Sequence, residues 1–477
     1  MLNLTIMHIL KIIKCINTQD LYLTDLECKV KHFAIYTEHL KKDSLYFHWH
    51  VKEQDDYLVK KALARNAFVV TSDKRFLKLK HPRIILTSSV RLALENLALY
   101  KRKYFQGKVI AITGSVGKSS VKNILASVLE MDHRIVYTLG NENAWLGIYC
   151  TLCNIQNETA FVILETGASG PNSLAKPIKV VRPNISVLLD VNFSHQEKYP
   201  NFQSLLHEKA SIIDVLTEHD SLIISAHTYQ KLLDIDYKGI IQNQVYKVGQ
   251  REDSTVYIKE MKINPKESEV QLYIDGVCSI LKIKQSNYAN LMNACYAFAV
   301  LKLLGFTEQK FNALIPFYKP LPRRYERLRI CTHFGKIIEL IDDAYNASPS
   351  SSLSLLSSLE MRYVKRKILV FGDMLELGQK SMELHQQVFQ TGNFDQFAYV
   401  VLLGEFSHFA ELNVPMYKAA NIEDAYLFLQ NFIESGDLII LKASNKMKLF
   451  ELRKRLESNA INIASLDSWY IEDAILA

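Results

Sequence analysis

A chain of 477 residues is long enough for about three domains, and a hydrophobic content of 48% allows each domain to bury a core. The formal net charge of +7 favours anionic small molecules such as nucleotides, and it is too small to indicate a nucleic-acid-binding protein. Seven cysteines without a regular spacing indicate a reducing compartment and argue against a disulfide framework.

The first predicted element is an amphipathic helix within residues 1–17, where His8, Lys11 and Lys14 interrupt an apolar stretch. This stretch lacks the basic start and the small-residue cleavage site of a signal peptide. No part of the chain has the length and apolar composition of a transmembrane span. We therefore expect a cytoplasmic protein without a transmembrane segment.

Residues 1–105 predict a small α/β domain. Phe68–Thr71 and Arg83–Thr87 are apolar, β-branched runs typical of strands, and Val90–Tyr104 has the apolar spacing of a helix. The helix leads directly into the next predicted strand.

That strand begins a nucleotide-binding segment. Val109–Ile112 is typical of a buried parallel strand, Gly114 and Gly117 suit a tight loop, and a helical pattern begins at Ser119. A strand, a glycine loop and a helix N-terminus together form an anion site, because free N–H groups and the helix dipole meet phosphate oxygens there. The predicted nucleotide contacts are Thr113, Gly114, Ser115, Val116, Gly117, Lys118, Ser119 and Ser120.

Within this segment Lys118 would reach the terminal phosphates, and the hydroxyl group of Ser119 would hold Mg²⁺. Ile112 occupies the position of the first glycine in the usual P-loop, so the loop has the compact form Thr-Gly-Ser-x-Gly-Lys-Ser. The alternative is a simple glycine turn before a helix that carries a surface lysine.

The rest of the chain predicts two further α/β domains, a central one at 106–319 and a C-terminal one at 320–477. Polar and apolar residues alternate between about 245 and 284, which predicts antiparallel strands beside the central sheet. The other predicted elements are strands at Phe161–Leu164, Ile185–Leu189, Lys367–Phe371, Ala398–Leu403 and Leu438–Leu441, a helix at Asn290–Leu304 and a linker at Lys319–Arg324. The C-terminal strands and helices alternate, which predicts a second parallel sheet.

Three polar residues lie at or after the ends of predicted strands in the central domain. Glu165 ends the strand Phe161–Leu164, and a carboxylate at the carboxyl end of a parallel strand can reach a metal held at the glycine loop. His195 follows the next strand after a short loop, and Lys209 lies on the following predicted helix. Taken singly, the alternatives are a surface acid, an ordinary histidine and a solvated lysine.

Taken together, Ser119, Glu165, His195 and Lys209 have the order and context of the central domain in the Mur ligase family, and the compact loop resembles that family's nucleotide loop. The resemblance implies a three-domain α/β enzyme that uses ATP and Mg²⁺ to join a carboxylate to an amine. It also implies that these four residues bind the metal, with Lys209 carbamylated so that it acts as a carboxylate. Lys118, Glu165, His195 and Lys209 are the predicted catalytic residues.

Three later segments resemble one branch of the same family. They are Asp342–Pro349, Phe371–Gly378 with His385 beyond it, and Gly436–Ser444. The resemblance implies nucleotide contacts from Asn290, Arg324, Asp343 and Asn346. Gly140–Gly147 resembles the family's Gly-Asn-x-Asn loop beside the acceptor site, and the implied substrate contacts are Asn141, Asn143, Trp145 and Ser169.

In that branch the implied reaction adds D-alanyl-D-alanine to a UDP-N-acetylmuramoyl tripeptide through an acyl phosphate, in peptidoglycan biosynthesis. We expect a monomer acting on small molecules. The chain departs from the family where substrates are recognised: Thr37-Glu38-His39 replaces Asp-Ser-Arg, and Ala144-Trp145 replaces an Asn and an acidic or amide residue. Two alternatives therefore stay open, a paralogue that joins a different acid and amine, and a non-catalytic nucleotide-binding relative.

Overall fold

The computed structural model describes residues 2–16, 23–49, 56–192, 198–239, 244–264, 267–284, 287–358 and 365–462. The chain divides into two compact units. The first unit comprises Met1–Gly114, Leu125–Leu189 and Leu206–Tyr246, and the second comprises Ser115–Ile124, Asp190–Leu205 and Lys247–Ala477. Within the described part of the chain, no helix has both the length and the hydropathy needed to cross a membrane.

The amino-terminal part of the first unit is a small α/β fold, as predicted. Its elements are α1 (Ile6–Ile13), α2 (Leu23–Leu26), β1 (His32–Ala34), β2 (Ser44–His48), α3 (Asp56–Ala64), β3 (Phe68–Thr71), β4 (Ile84–Leu86) and α4 (Val90–Tyr104). The strands are all parallel, in the order β1-β2-β3-β4. The predicted amphipathic helix is α1, which buries Ile6, Ile9, Leu10 and Ile13 and packs against α4.

A second parallel sheet of the first unit carries the strands around the nucleotide loop. The chain here forms β5 (Lys108–Thr113), α5 (Lys118–Leu129), β6 (Ile135–Tyr137), α6 (Trp145–Cys153), β7 (Phe161–Glu165), α7 (Ala175–Val181), β8 (Ile185–Leu188), α8 (Phe202–Ala210), β9 (Ser221–Ser225) and α9 (Ala226–Asp234). The strand order is β9-β8-β5-β7-β6. Because all these neighbours are parallel, the carboxyl ends of β5, β7 and β8 lie at one edge of the sheet.

The alternating stretch predicted as antiparallel strands is only partly so. It forms β10 (Val245–Gly249), β11 (Val256–Lys262), β12 (Glu267–Ile274) and β13 (Val277–Lys284), followed by α10 (Tyr288–Leu303) and α11 (Glu308–Leu314). β11, β12 and β13 pair antiparallel, whereas β10 and β11 pair parallel. The prediction was wrong for β10 because alternation fixes which face a side chain occupies and carries no information on strand direction.

The second unit ends in a mixed sheet with buried apolar residues on both faces. Its elements are β14 (Glu326–Thr332), β15 (Ile337–Asp342), α12 (Pro349–Ser358), β16 (Lys367–Gly372), α13 (Ser381–Thr391), β17 (Tyr399–Leu403), β18 (Met416–Ala419), α14 (Ile422–Phe432), β19 (Leu438–Lys442), α15 (Leu449–Leu456) and β20 (Glu457–Asn462). The order is β18-β17-β16-β19-β15-β14-β20. The predicted parallel sheet extends from β18 to β15, but β14 pairs antiparallel with β15 and β20, since a short turn joins β14 directly to β15.

Candidate active site

The glycine loop follows β5, as the sequence predicts. Its two glycines have positive φ angles, +150° at Gly114 and +87° at Gly117, which other residues rarely adopt. At Gly114 a Cβ atom would also lie 2.6 Å from the Cβ atom of Leu189, so only glycine fits there. Helix α5 begins at Lys118, immediately after the loop. The N–H groups at the start of α5 thus follow a tight turn, an arrangement that binds phosphate.

Within the second unit, the loop is held by the segment after β8. The backbone N–H of Ser115 donates to the carbonyl oxygen of Asp190 at 2.8 Å, and its hydroxyl donates to the carbonyl oxygen of Asn192 at 2.9 Å. The Nζ atom of Lys118 donates to the carbonyl oxygen of Ser115 at 3.3 Å. The loop is therefore pre-formed, and Lys118 is folded back over it.

Ser119, the predicted metal ligand in the loop, contacts the predicted arginine of the C-terminal domain. Its side chain is buried, and its Oγ atom lies 3.1 Å from Nη2 of Arg324, which donates to it. The guanidinium carbon of Arg324 also lies 4.1 Å from the ring centroid of Tyr345. The guanidinium group of Arg324 thus occupies one side of the Ser119 hydroxyl, which a metal ion would have to approach. Ser120 is buried beside it, whereas Val116 is exposed.

Glu165 ends β7 directly beside β5. The two strands pair Glu165 with Ile112, one residue before Thr113, so the carboxylate stands at the edge where β5 leads into the glycine loop. The side chain is only 2% exposed, and its Oε1 atom accepts a hydrogen bond of 2.8 Å from Nδ2 of Asn143. A buried carboxylate held by an amide has a fixed position.

Lys209 on α8 is almost completely buried, and it contacts the start of the glycine loop. Its Nζ atom donates to the carbonyl oxygen of Gly114 at 2.9 Å. The preceding residue, Glu208, accepts hydrogen bonds from the backbone N–H groups of Asn172, Leu174 and Ala175, at the start of α7. Glu208 is not among the predicted site residues, and its only signal in the sequence is its position beside a predicted functional lysine.

The fourth predicted metal ligand, His195, lies outside the described residues. Asn290 is in the first turn of α10, where its backbone N–H donates to the side chain of Asn287. The residues that the structure does describe contain no cluster of three or more histidine, cysteine, aspartate or glutamate side chains. A Mg²⁺ site does not need one, because this ion keeps several waters and is held by one or two carboxylates together with substrate phosphates.

The predicted acceptor loop runs from Gly140 to the start of α6. Gly147 is required by a close approach within the loop, since a Cβ atom there would lie 2.1 Å from the carbonyl oxygen of Glu142. Asn141 is exposed, Asn143 holds Glu165, and Trp145 is half-buried at the start of α6. The loop thus connects the buried carboxylate of Glu165 to exposed side chains. Ser169 is exposed on a neighbouring segment, where its N–H donates to Oγ of Ser173.

The segment Thr37-Glu38-His39 makes two ion pairs. Nδ1 of His39 lies 3.3 Å from Oε1 of Glu142 in the acceptor loop. Nζ of Lys61 lies 3.0 Å from Oε1 of Glu38, and this hydrogen bond is the main reason that the pKa of Glu38 falls to about 2. Glu38 is therefore ionised at neutral pH, and its charge is partly offset by Lys61.

Two of the predicted nucleotide contacts in the C-terminal domain, Asp343 and Asn346, are held by the same lysine. Nζ of the buried Lys442 donates to Oδ2 of Asp343 at 2.7 Å and to the carbonyl oxygen of Asn346 at 3.1 Å. Oδ1 of Asp343 accepts from the N–H of Tyr325. These bonds fix the segment after β15 against the end of β19.

The segment Phe371–Gly378 has a structural network at its centre. Oδ1 of Asp373 accepts from the N–H and the hydroxyl of Ser407, each at 2.8 Å. Nε2 of His385 accepts from the N–H of Met374, so Nδ1 carries the proton and donates to the carbonyl oxygen of Ser381. Burial lowers the pKa of His385, which favours this neutral form.

Two family models match the chain on these elements. One describes the Mur ligase middle domain and matches residues 112–301, and the other describes the Mur ligase glutamate ligase domain and matches residues 323–445. The first therefore begins within β5 and includes the glycine loop, Glu165 and Lys209. The second begins at Arg323, next to Arg324.

Two relatives share one name. The UDP-N-acetylmuramoyl-tripeptide–D-alanyl-D-alanine ligase of Rickettsia prowazekii is 26% identical over 422 residues, which are 83% of this chain and 88% of the relative. The ligase of the same name from Bacillus subtilis is 29% identical over 388 residues, 78% of this chain and 81% of the relative.

Solved structures share the fold. MurF from Acinetobacter baumannii superposes with a TM-score of 0.77 at 20% identity and covers 95% of this chain and 98% of its own. MurF ligase from Thermotoga maritima in complex with ADP superposes with a TM-score of 0.75 at 22% identity, covering 89% and 97%. The two models together match residues 112–301 and 323–445, about two thirds of the chain, and the chain belongs to the Mur ligase family of ATP-dependent ligases.

Proposed function

We propose that this chain joins D-alanyl-D-alanine to a UDP-N-acetylmuramoyl tripeptide with the use of ATP. The names of the relatives, aligned over roughly four-fifths of the chain, support this reaction. The observation that carries the chemistry is the buried Glu165, held by Asn143 at the edge where β5 leads into the glycine loop. We further propose three domains, at 1–105, 106–319 and 320–477, in a monomeric cytoplasmic enzyme. All seven cysteines are free thiols, in keeping with a reducing compartment.

In the first step the substrate carboxylate attacks the γ-phosphorus of ATP, and the bond from that phosphorus to the leaving ADP oxygen breaks. The product is an acyl phosphate, which is needed because an oxide ion is too poor a leaving group for direct amide formation. The N–H groups of residues 116–120 would cradle the phosphates, and Lys118 would move from the carbonyl of Ser115 to the transferring group.

In the second step the amine nitrogen attacks the acyl carbon, loses a proton, and displaces phosphate. The carbonyl oxygen carries a negative charge in the tetrahedral intermediate, and Lys118 would stabilise it. Asn141, Trp145 and Ser169 would contact the substrates, and Asn143 would act by holding Glu165 in place. Water has to be excluded, because it would otherwise hydrolyse the acyl phosphate.

The oxygen donors fit Mg²⁺. Ser119 offers a buried hydroxyl and Glu165 a buried carboxylate, the ligand types this ion prefers. We propose that these two residues, His195 and a carbamylated Lys209 hold it. When bound, the ion would offset the charge that spreads over the transferring phosphoryl group. Lys209 as a plain ammonium cannot be a ligand, so its role as one depends on the modification.

We also propose that the contact between Arg324 and Ser119 belongs to the nucleotide-free state. The Oγ atom of Ser119 accepts a hydrogen bond from a cation there, and a metal ion would compete for the same lone pair. Arg324 would then turn to the phosphates. Asn290, Asp343 and Asn346 would complete the nucleotide contacts, with Lys442 keeping the last two in place.

A second candidate is the same chemistry on a different acid. The observation in its favour is the pairing of His39 with Glu142. The segment 37–39 contains no arginine, and its one basic side chain already contacts a protein carboxylate. A substrate with a weaker anion, or with none at this point, would suit such a segment. A non-catalytic relative is the third possibility, and turnover separates it from the other two.

The decisive experiment measures ADP release by the purified protein with each substrate alone and with both. We expect release only when a UDP-N-acetylmuramoyl tripeptide and D-alanyl-D-alanine are present together, with one amide formed per ADP. Turnover with other acids or amines, and none with this pair, would favour the second candidate. Nucleotide binding without turnover on any pair would favour the non-catalytic relative.

A further inference from the structure

Arg91 lies at the carboxyl edge of the amino-terminal sheet, in the first turn of α4. Its neighbours Val90, Ala93 and Leu94 are buried, so the helix fixes its backbone, while the side chain of Arg91 points to the exposed side. The guanidinium carbon lies 4.8 Å from the ring centroid of Trp145, at the start of α6. A guanidinium stacked on an indole ring is held in one plane and loses little freedom on binding a ligand.

This cation has no carboxylate partner in the part of the chain that the structure describes. None of the ion pairs there includes Arg91. The indole of Trp145 is itself supported, since the ring centroid of Tyr149 lies 6.0 Å away in an edge-on contact with an interplanar angle of 66°. An exposed guanidinium that stands outside these ion pairs, beside a supported aromatic ring, is suited to an anion on an aliphatic chain.

The Arg91–Trp145 pair is tied to the proposed catalytic carboxylate by one short loop. Trp145 is two residues after Asn143, whose amide donates to Glu165 at 2.8 Å. In a substrate whose reacting carboxyl group lies near Glu165, the nearest other group is the side chain of the same residue. In a UDP-N-acetylmuramoyl tripeptide, that residue is the third of the peptide.

We propose that Arg91 and Trp145 bind the side chain of the third peptide residue, and that they select one ending in a carboxylate. The inference rests on the proposed function. Diaminopimelate, which is part of the name of a ligase from Acinetobacter baumannii with a similar structure, has an aliphatic chain for the indole and a carboxylate for the guanidinium. Lysine has the same kind of chain but ends in an ammonium group alone, which Arg91 repels. Arg91 and Trp145 therefore determine specificity within the ligase reaction.

Another source of the anion is the diphosphate of the nucleotide, since Arg91 stands at the carboxyl edge of a parallel sheet. The peptide carboxylate is favoured because the support for Arg91 comes from Trp145, a residue of the loop that holds Glu165. The nucleotide part is the same in every substrate used below, so the two sources give different results.

The test compares the wild-type enzyme with Arg91→Met and with Lys103→Met as a matched control. Lys103 is an exposed cation on the same helix, near the ring of Tyr104, and it lies away from the acceptor loop. Steady-state kinetics use UDP-N-acetylmuramoyl tripeptides with diaminopimelate or with lysine as the third residue. Calorimetry measures the binding of both, and of UDP-N-acetylmuramic acid without a peptide, so binding is measured whether or not turnover occurs.

We expect the wild type to prefer diaminopimelate by about tenfold or more in kcat/KM, as for one charge-assisted hydrogen bond. Arg91→Met should remove that preference through KM and through binding: the diaminopimelate substrate should bind more weakly, and the lysine substrate should bind as well as to the wild type or slightly better. We expect kcat to change little, and Lys103→Met should match the wild type. Equal losses on both tripeptides, or an equal loss with the peptide-free ligand, would overturn the proposal. Absence of turnover with intact, Arg91-dependent binding of the diaminopimelate substrate would refute the proposed reaction and leave the binding site standing.

Discussion

The glycine-loop edge and the acceptor edge of this molecule differ in how they hold their functional side chains. At the first edge, Glu165 and Lys209 are buried, and each is bonded to a fixed partner, the amide of Asn143 or the carbonyl of Gly114. The acceptor edge consists of the acceptor loop and the side chains that contact it from the amino-terminal sheet. There, His39, Arg91 and Trp145 are exposed or half-buried, His39 contacts Glu142, and Arg91 contacts Trp145.

This difference indicates which functional positions tolerate substitution. A group that must stabilise charge in a transition state needs a rigid, desolvated position, and such positions occur where parallel strands end. A group that recognises one side chain of a substrate can be exposed, and its replacement alters specificity more than rate. The departures at 37–39 and at Ala144-Trp145 all lie at the second edge. The predictions below test whether the two edges separate in this way.

The largest expected effect is that of Lys118→Ala at the glycine loop. The substitution removes a cation from the transition state and no core contact, so turnover should fall on the order of 10²-fold or more with an unchanged fold. The measurement is ligand-dependent ADP release, with thermal unfolding as the check on folding. Lys108→Ala is the control, since Lys108 is an exposed lysine at the start of the same strand. Near-normal turnover of folded Lys118→Ala would refute the nucleotide site.

Next in size is the effect of Glu165→Gln, which keeps the shape of the side chain and removes its charge. The Mg²⁺ concentration for half-maximal turnover should rise sharply, and His195→Ala should act in the same direction. Asn143→Ala removes only the bond that orients Glu165, so it should raise the Mg²⁺ requirement less. The measurement is a Mg²⁺ titration of each variant at saturating ATP. An unchanged titration curve for Glu165→Gln would show that the carboxylate does not bind the metal.

Lys209→Ala tests the proposed carbamylation. If a carbamate on Lys209 serves as a carboxylate, the alanine variant should lose activity and regain part of it in acetate or another short carboxylic acid. If the ammonium form is what matters, through its bond to the carbonyl of Gly114, small amines should restore activity and acids should not. Mass spectrometry cannot decide this, because a carbamate is lost on acidification, so the rescue profile is the measurement.

The strand ends were predictable because each follows from a local pattern. Val109–Ile112 and Phe161–Leu164 are short apolar runs, and the parallel pairing of such runs brings their carboxyl ends together whatever lies elsewhere. The structure extends the two runs to Lys108–Thr113 and Phe161–Glu165, so Thr113 and Glu165 themselves close the strands. The carboxyl ends of the two strands beside the glycine loop could therefore be predicted from the sequence.

What could not be predicted depends on pairs of residues far apart in the chain. The contacts of Arg91 with Trp145 and of His39 with Glu142 join the amino-terminal sheet to the acceptor loop, and no periodicity encodes them. Glu208 had no predicted role, yet its carboxylate accepts hydrogen bonds at the start of α7 because α8 brings it there. The parallel pairing of β10 with β11 likewise could not be predicted, because it depends on the path of the segment between Gly249 and Val256.

The smallest expected effect concerns the acceptor edge itself, in the affinity for the nucleotide part of the substrate. Losing an arginine–phosphate contact forfeits about 1.5–3 kcal/mol, so UDP-N-acetylmuramoyl tripeptide should bind more weakly than micromolar. Glu38→Gln should tighten binding by less than this, because Lys61 already offsets part of the charge. Calorimetric titration in the presence of a non-hydrolysable ATP analogue measures both.

The contrary outcome has a structural source that the same titration exposes. Lys41 and Lys42 are exposed and follow the segment directly, so either could hold the diphosphate in place of an arginine. In that case binding would be micromolar or tighter and would weaken in Lys41→Met or Lys42→Met, while His39→Gln would change little because His39 faces Glu142. Weak binding that neither lysine variant alters would instead show that the segment 37–39 no longer reads a diphosphate. The acceptor edge would then have changed its ligand while the glycine-loop edge kept its chemistry.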